Sequence, residues 1–204
     1  MKLSEVFNQL SNGELNQVSI GGQSQGVIND YNNKIIVNHI NLGLANLHQR
    51  FHLKDGTLSL STEVGKTDYL LGDDVLDVTW VFNSEGSSVP FTMPSTRVLR
   101  IPNDVGATQL EVVYRAGHPV FDTSEDGDID PDFMEVDLPY IYLEPLLYFV
   151  ASRVYHPITV LPNEMHLGSS YAAKYEQACQ RLELANFVLN KELNNDRLTR
   201  NGWV

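Results

Sequence analysis

Cysteine is almost missing from this chain, which has one in 204 residues, Cys179. An internal disulfide is therefore excluded, and a reducing compartment suits the composition. Long hydrophobic runs are missing too. The most apolar region, Leu138 to Tyr155, is interrupted by Pro139, Glu144, Pro145 and Arg153, so it does not read as a membrane span. The N-terminal Met1-Lys2-Leu3 leads into Glu5, Asn8 and Gln9, with no apolar core of a signal peptide. These features lead to the expectation of a soluble protein made in the cytoplasm. Basic residues are scarce, with 14 Lys and Arg against 26 Asp and Glu and a net charge of −12. No basic stripe is present to grip phosphates, which argues against tight nucleic-acid binding through counterion release.

The acidity is concentrated. Asp122, Glu125, Asp126, Asp128, Asp130, Asp132, Glu135 and Asp137 occur between positions 122 and 137 with no intervening base. Asp122-Thr-Ser124-Glu-Asp126-Gly127-Asp128-Ile129-Asp130 fits the first nine positions of an EF-hand loop, with oxygens at one, three, five and nine and glycine at the turn. The fit ends at the twelfth position, where Phe133 stands in place of the closing Glu. Gly117-His118-Pro119 also breaks any incoming helix. A calcium cage of a different kind, using Asp122, Ser124, Asp126, Asp128 and Asp130, remains an alternative to a plain solvated loop. General acid–base work by these carboxylates would need burial to separate their pKa values, and the loop offers no apolar pocket.

Other chemistry is weakly signalled. His48 and His52 stand four apart, a zinc-compatible spacing, but Gln49, Arg50 and Phe51 between them include no glutamate base, so packed or surface histidines are expected. Cys179 lies in an apolar part of a helix and reads as a packed thiol. Gly21-Gly22-Gln-Ser-Gln-Gly26 lacks the Lys-Ser/Thr of a phosphate loop. The sequence implies no enzyme and no cofactor.

Periodicity predicts an α+β chain. Ser4 can cap a short helix through Leu10. Asn29 or Asp30 opens a long helix carrying Ile36, His39, Ile40, Leu44, Leu47 and Phe51, and Asp55-Gly56 closes it. Leu58, Leu60 and Thr62 then alternate with Ser59, Ser61 and Glu63 as a half-buried strand. Further strands are expected at Val78–Phe82, Arg97–Ile101 and Leu110–Arg115, with turns between them at positions 83–86, Met93-Pro94 and 102–104. Asp137 is expected to cap a second long helix with Pro139 in its first turn. Its buried stripe is Leu143, Leu146, Leu147, Val150 and Val154, with a bend at Pro145. His156-Pro157 and Leu161-Pro162 should end it. A last helix from Ser169 carries Tyr171, Tyr175, Ala178, Leu182, Ala185, Leu189 and Leu193 on one stripe. The expected organisation is a helical core from 1–56 and 120–195, an inserted antiparallel β-domain over 57–119, and a tail over 196–204. In that tail Arg197, Arg200, Trp203 and Val204 have no core left to join, which suits docking on a partner. Tyr140, Tyr148, Tyr171 and Tyr175 are candidate subunit contacts, since tyrosine tolerates half-wet interfaces.

Five segments in order carry a resemblance. They are His39-Ile-Asn-Leu-Gly-Leu-Ala-Asn-Leu-His-Gln-Arg-Phe51 with its following Lys-Asp-Gly turn, Glu135-Val-Asp-Leu-Pro-Tyr140, Leu146-Leu-Tyr-Phe-Val-Ala-Ser-Arg-Val154, Tyr171-Ala-Ala-Lys-Tyr-Glu-Gln-Ala-Cys-Gln-Arg-Leu-Glu183, and Asn201-Gly-Trp-Val204. Together they resemble the tail-to-head adaptors, or head completion proteins, of tailed bacteriophages, especially short-tailed ones. The resemblance implies an adaptor-type helical bundle with long first, second and C-terminal helices and an inserted β-domain. It further implies a homo-oligomeric ring of about twelve copies in the virion neck, assembled in the host cytoplasm. The C-terminal segment would dock on the portal protein and a tail or nozzle protein would attach opposite. Double-stranded DNA would pass through without specific binding, eased by the negative charge. The acidic loop is not part of this resemblance. Another neck or tail structural protein, or a calcium-binding or hydrolytic module built on the 122–137 loop, are the competing expectations.

Overall fold

A computed structural model of the chain describes residues 1–20, 24–102, 108–124, 129–155 and 165–193. The fold is α+β, with four described helices and two small antiparallel sheets. Two compact units divide the chain. One comprises Met1–Ile40, Asp128–Val136 and Tyr140–Val204, the other Asn41–Gly127 and Asp137–Pro139.

The first unit is helical. Leu3, Val6, Phe7 and Leu10 repeat at steps of three and four, and all four are buried on α1 (Leu3–Asn12). The helix starts one residue before Ser4, the expected cap. Glu5 instead reaches back to accept the Lys2 N–H at 3.2 Å, so the first-turn donor is satisfied by a carboxylate. The neighbouring donors go to a distant segment: Leu3 N–H to the Met134 carbonyl (3.0 Å) and Ser4 N–H to the Pro131 carbonyl (2.9 Å).

Helix α2 (Asn33–Arg50) opens later than Asn29 or Asp30. The buried Asn32 explains the delay. Its Oδ1 accepts the Asn29 N–H at 2.8 Å, and its Nδ2 donates to the carbonyls of Val27 (2.6 Å) and Ile20 (3.2 Å). These bonds hold residues 29–32 in a turn before helical pairing begins.

A 3₁₀ turn (Tyr140–Tyr142) leads into α3 (Leu143–Tyr155). Leu143, Leu146, Leu147, Val150 and Val154 are buried as their spacing predicts. Pro145 is the third residue of the helix, in its first turn. Its missing N–H would have had no intrahelical partner there, so the expected bend has no cause. Asp137 does not cap α3, because its side chain and amide serve the second unit. The segment expected to end this helix, from His156 to Pro162, lies outside the described residues. Helix α4 (Met165–Leu193) runs 29 residues and begins four residues before Ser169.

The second unit holds every described strand, together with the C-terminal part of α2. Strands β1 (Asp55–Ser61), β6 (Gln109–Ala116) and β3 (Val75–Asn83) form one sheet in the order β1-β6-β3. Alternation decides its faces. Leu58, Val112 and Val81 share a row on the packed side, while Thr57, Val113 and Trp80 share a row on the other. Asp55-Gly56 does not close α2. It already pairs in β1, opposite Arg115 and Tyr114. A Cβ at Gly56 would lie 2.5 Å from Tyr114 Cζ, so the ring packs across a position that only glycine leaves open.

Strands β2 (Asp68–Leu70), β5 (Val98–Arg100) and β4 (Thr92–Ser95) form the second sheet in the order β2-β5-β4. Met93-Pro94, expected as a turn, sits inside β4. That strand is an edge with an irregularity between Thr92 and Ser95, where proline's missing donor is tolerated.

Candidate interaction surface

Among the described residues the helical unit offers an organised surface along the α3–α4 hairpin. The inner face of α4 buries Tyr175, Ala178 and Cys179, and the Phe149 ring meets Tyr175 edge-on at 5.3 Å. Toward the outside the aromatics form a ladder. Tyr155 stacks on Tyr171 at 5.4 Å, and Tyr171 lies 6.1 Å from Tyr148. Lys174 lays its ammonium over both outer rings, 4.7 Å from the Tyr171 centroid and 5.8 Å from that of Tyr148. Tyr155 also donates its hydroxyl to the Glu14 carbonyl at 3.0 Å, which fixes the buried end of the ladder.

Glu144, in the first turn of α3, organises the other end. It accepts the Tyr148 hydroxyl at 3.0 Å and the Arg181 guanidinium at 3.3 Å. Burial, then the bond to Glu144, raises the Tyr148 phenol above its ordinary pKa. Burial, and then the nearby Glu14, raises that of Tyr171. Both hydroxyls thus stay protonated at neutral pH and act as donors. Glu144, Tyr148, Lys174, Gln177, Arg181 and Leu184 line an open groove of about 590 Å³ here. Leu184 is 68% exposed at its rim. The mixture of aromatic faces, paired charges and amides suits contact with another polypeptide better than enclosure of a small molecule.

The four candidate contact tyrosines are placed differently. Tyr148 and Tyr171 are half-buried in the ladder, Tyr140 is 75% exposed beside the exposed Ile141, and Tyr175 is a core group. Arg197, Arg200, Trp203 and Val204 lie outside the described residues. So do Asp126 and Asp128 of the acidic loop. Of the remaining loop ligands, Asp122 Oδ1 accepts the Ser124 N–H at 2.9 Å, and Asp130 Oδ1 accepts the Asp132 N–H at 3.1 Å. Such bonds are local turn geometry. Among the described residues no group of three or more His, Cys, Asp or Glu side chains could hold a metal ion. His48 and His52 are separately engaged: His48 Nδ1 faces the Ala116 carbonyl at 3.2 Å, and His52 Nε2 meets Asp55 at 2.5 Å.

Sequence reasoning missed Glu144, Lys174 and Arg181. A signal existed for two of them, since Glu144–Tyr148 and Tyr171–Lys174 are i,i+4 and i,i+3 pairs. Arg181–Glu144 links two helices and left no local trace. No described helix is long and apolar enough to cross a membrane. No protein-family model and no curated protein matches the chain.

Proposed function

We propose that this protein is a structural adaptor of a tailed bacteriophage, forming a ring between portal and tail. The observation that carries the proposal is the length of α4. Arg181 meets Glu144 in the first turn of α3, yet α4 continues twelve residues further, to Leu193. At about 1.5 Å per residue this is roughly 18 Å of helix past the start of its partner. In the sequence it is followed by residues 194–204, which include Arg197, Arg200 and Trp203. A long helix followed in sequence by Arg and Trp is suited to docking, because these residues dominate interface energetics.

In this reading the hairpin is part of an adaptor-type helical bundle and the sheets are its inserted β-domain. Tyr140, Tyr148 and Tyr171 face neighbouring copies. The portal protein receives the C-terminal segments, and a tail or nozzle protein binds opposite. Repetition around a ring of about twelve copies turns a modest single contact into firm attachment. The excess of acids leaves double-stranded DNA free to slide through the channel. The chain performs no catalysis and needs no cofactor in this role, which is carried out in the virion neck. Deleting residues 197–204 tests the reading: portal binding, followed by native mass spectrometry, should be lost while the melting temperature stays unchanged. A truncated protein that still binds the portal would refute it.

A further inference from the structure

The second unit contains a histidine whose bonding dictates its protonation state. His118 follows β6, and its ring is enclosed by Phe121 (5.1 Å) and His48 (5.8 Å). Its Nε2 lies 3.0 Å from the backbone nitrogen of Asp137. That amide can only donate, so Nε2 must present its lone pair. The ring proton therefore belongs on Nδ1, which lies 2.5 Å from the Pro119 carbonyl, an obligate acceptor. Both nitrogens are assigned by partners that have no alternative role.

The bonds have a mechanical consequence. Asp137–Pro139 are three residues that cluster with this unit, while the residues on either side of them cluster with the other. Two groups hold Asp137: His118 takes its amide, and Lys54 Nζ binds its carboxylate at 2.6 Å. We propose that His118 is a proton-operated latch, whose neutral ring retains the Asp137 backbone and whose protonation at Nε2 releases it. A protonated Nε2 is a donor facing a donor, so the amide bond cannot survive. The imidazolium must then turn to the Asp137 carboxylate, where it competes with Lys54.

The surrounding groups set the direction. From α2, His48 faces the ring; it is 1% exposed, and its Nε2 makes no hydrogen bond. Lys54, ahead of β1, adds positive charge, and Asp137 opposes it. Arg115 of β6 is engaged elsewhere, with the carbonyls of His48, Gln49 and Phe51. Burial foremost, with His48 and Lys54 adding to it, lowers the His118 pKa below its ordinary 6.5, against the raising effects of the Pro119 bond and Asp137. The latch is thus closed at neutral pH and opens on acidification. This device is independent of the adaptor reading.

Histidine-selective and amide NMR on the full-length protein, from about pH 8 to about pH 5.5, tests it. The His118 proton should reside on Nδ1 at the upper end. As His118 titrates, the hydrogen-exchange protection factor of the Asp137 amide should fall about fivefold to tenfold, the worth of one ordinary hydrogen bond. Protection at Val112, inside β6, should hold over the same range, which separates unlatching from unfolding. His118→Gln offers an acceptor at every pH, so its Asp137 protection should be flat. A proton on Nε2 at neutral pH, Asp137 protection unchanged while wild-type His118 titrates, or an equal loss in His118→Gln would each overturn the latch. The wild-type titration decides the matter even if the variant does not fold.

Discussion

Arg115→Met should destabilise the protein by about 2 kcal/mol, and the structure shows where that figure comes from. Helix α2 ends at Arg50, leaving its last carbonyls without intrahelical donors. Arg115 Nη2 reaches them from β6, at 3.1 Å to the His48 carbonyl, 3.2 Å to Gln49 and 3.3 Å to Phe51. A hydrogen bond from a charged donor contributes about 1.5–3 kcal/mol. Three acceptors sharing one amino group do not triple it. A cation at a helix C-terminus adds about 0.5 kcal/mol. Against this, Arg115 Nε is buried with no hydrogen bond, an offset of about 1 kcal/mol that methionine relieves. Methionine keeps the aliphatic stem, so packing in β6 changes little. Urea unfolding, read by far-ultraviolet circular dichroism and by fluorescence of Trp80 on β3, measures the difference. Arg115→Lys should recover about half of it, since it keeps the charge and loses the planar fork. A loss under about 0.5 kcal/mol for Arg115→Met would refute the reasoning and mean that water satisfies those carbonyls as well as the guanidinium does.

Leu146 is fully buried on α3, so Leu146→Ala should cost about 2–5 kcal/mol in urea unfolding. Gly56→Ala should force the Tyr114 ring from its place, weaken its 2.8 Å bond to Asp74 and destabilise by about 1–3 kcal/mol. Stability should also decline with acid. His39, through burial and then Arg153, and His118, through burial, both titrate below the ordinary 6.5 when folded. The unfolded chain therefore binds more protons between the folded and ordinary values. The stabilisation is complete above 6.5 and is lost as pH falls through the lowered values, which melting curves at stepped pH would record. Calorimetric titration with calcium should give no specific heat and no rise in melting temperature, because the adaptor reading assigns the 122–137 acids no metal.

Much of the architecture was written in local periodicity. The α3 stripe and the Leu58–Thr62 alternation each repeat often enough to declare their period, and one buried face follows from each. Short or irregular pieces did not. Three residues of β2 carry no detectable alternation, and Pro94 in β4 mimics a turn until the neighbouring strand shows it to be an edge. Helix starts were misplaced where a distant or reciprocal partner replaced the obvious cap: Glu5 rather than Ser4 at α1, and the Asn32 turn ahead of α2. Asp137 looked like a cap by position, but Lys54 and His118 claim it, a pairing across 83 and 19 residues that no window could contain. The same limit hid the Glu144–Arg181 contact at the heart of the hairpin surface. Of the expected α4 stripe, Tyr175 and Ala178 are buried, Tyr171 and Leu182 are half-buried and Ala185 is exposed, while the side chains of Leu189 and Leu193 lie outside those described. Only packing against Phe149 distinguished Tyr175 from the outward-leaning Tyr148 and Tyr171.

Electron microscopy of this protein mixed with a bacteriophage portal ring tests the proposed adaptor role most directly. The account predicts a collar of added density below the portal, with the portal's own symmetry and with the C-terminal segments beyond α4 entering the portal surface. A bare portal, or density lacking that symmetry, would contradict it.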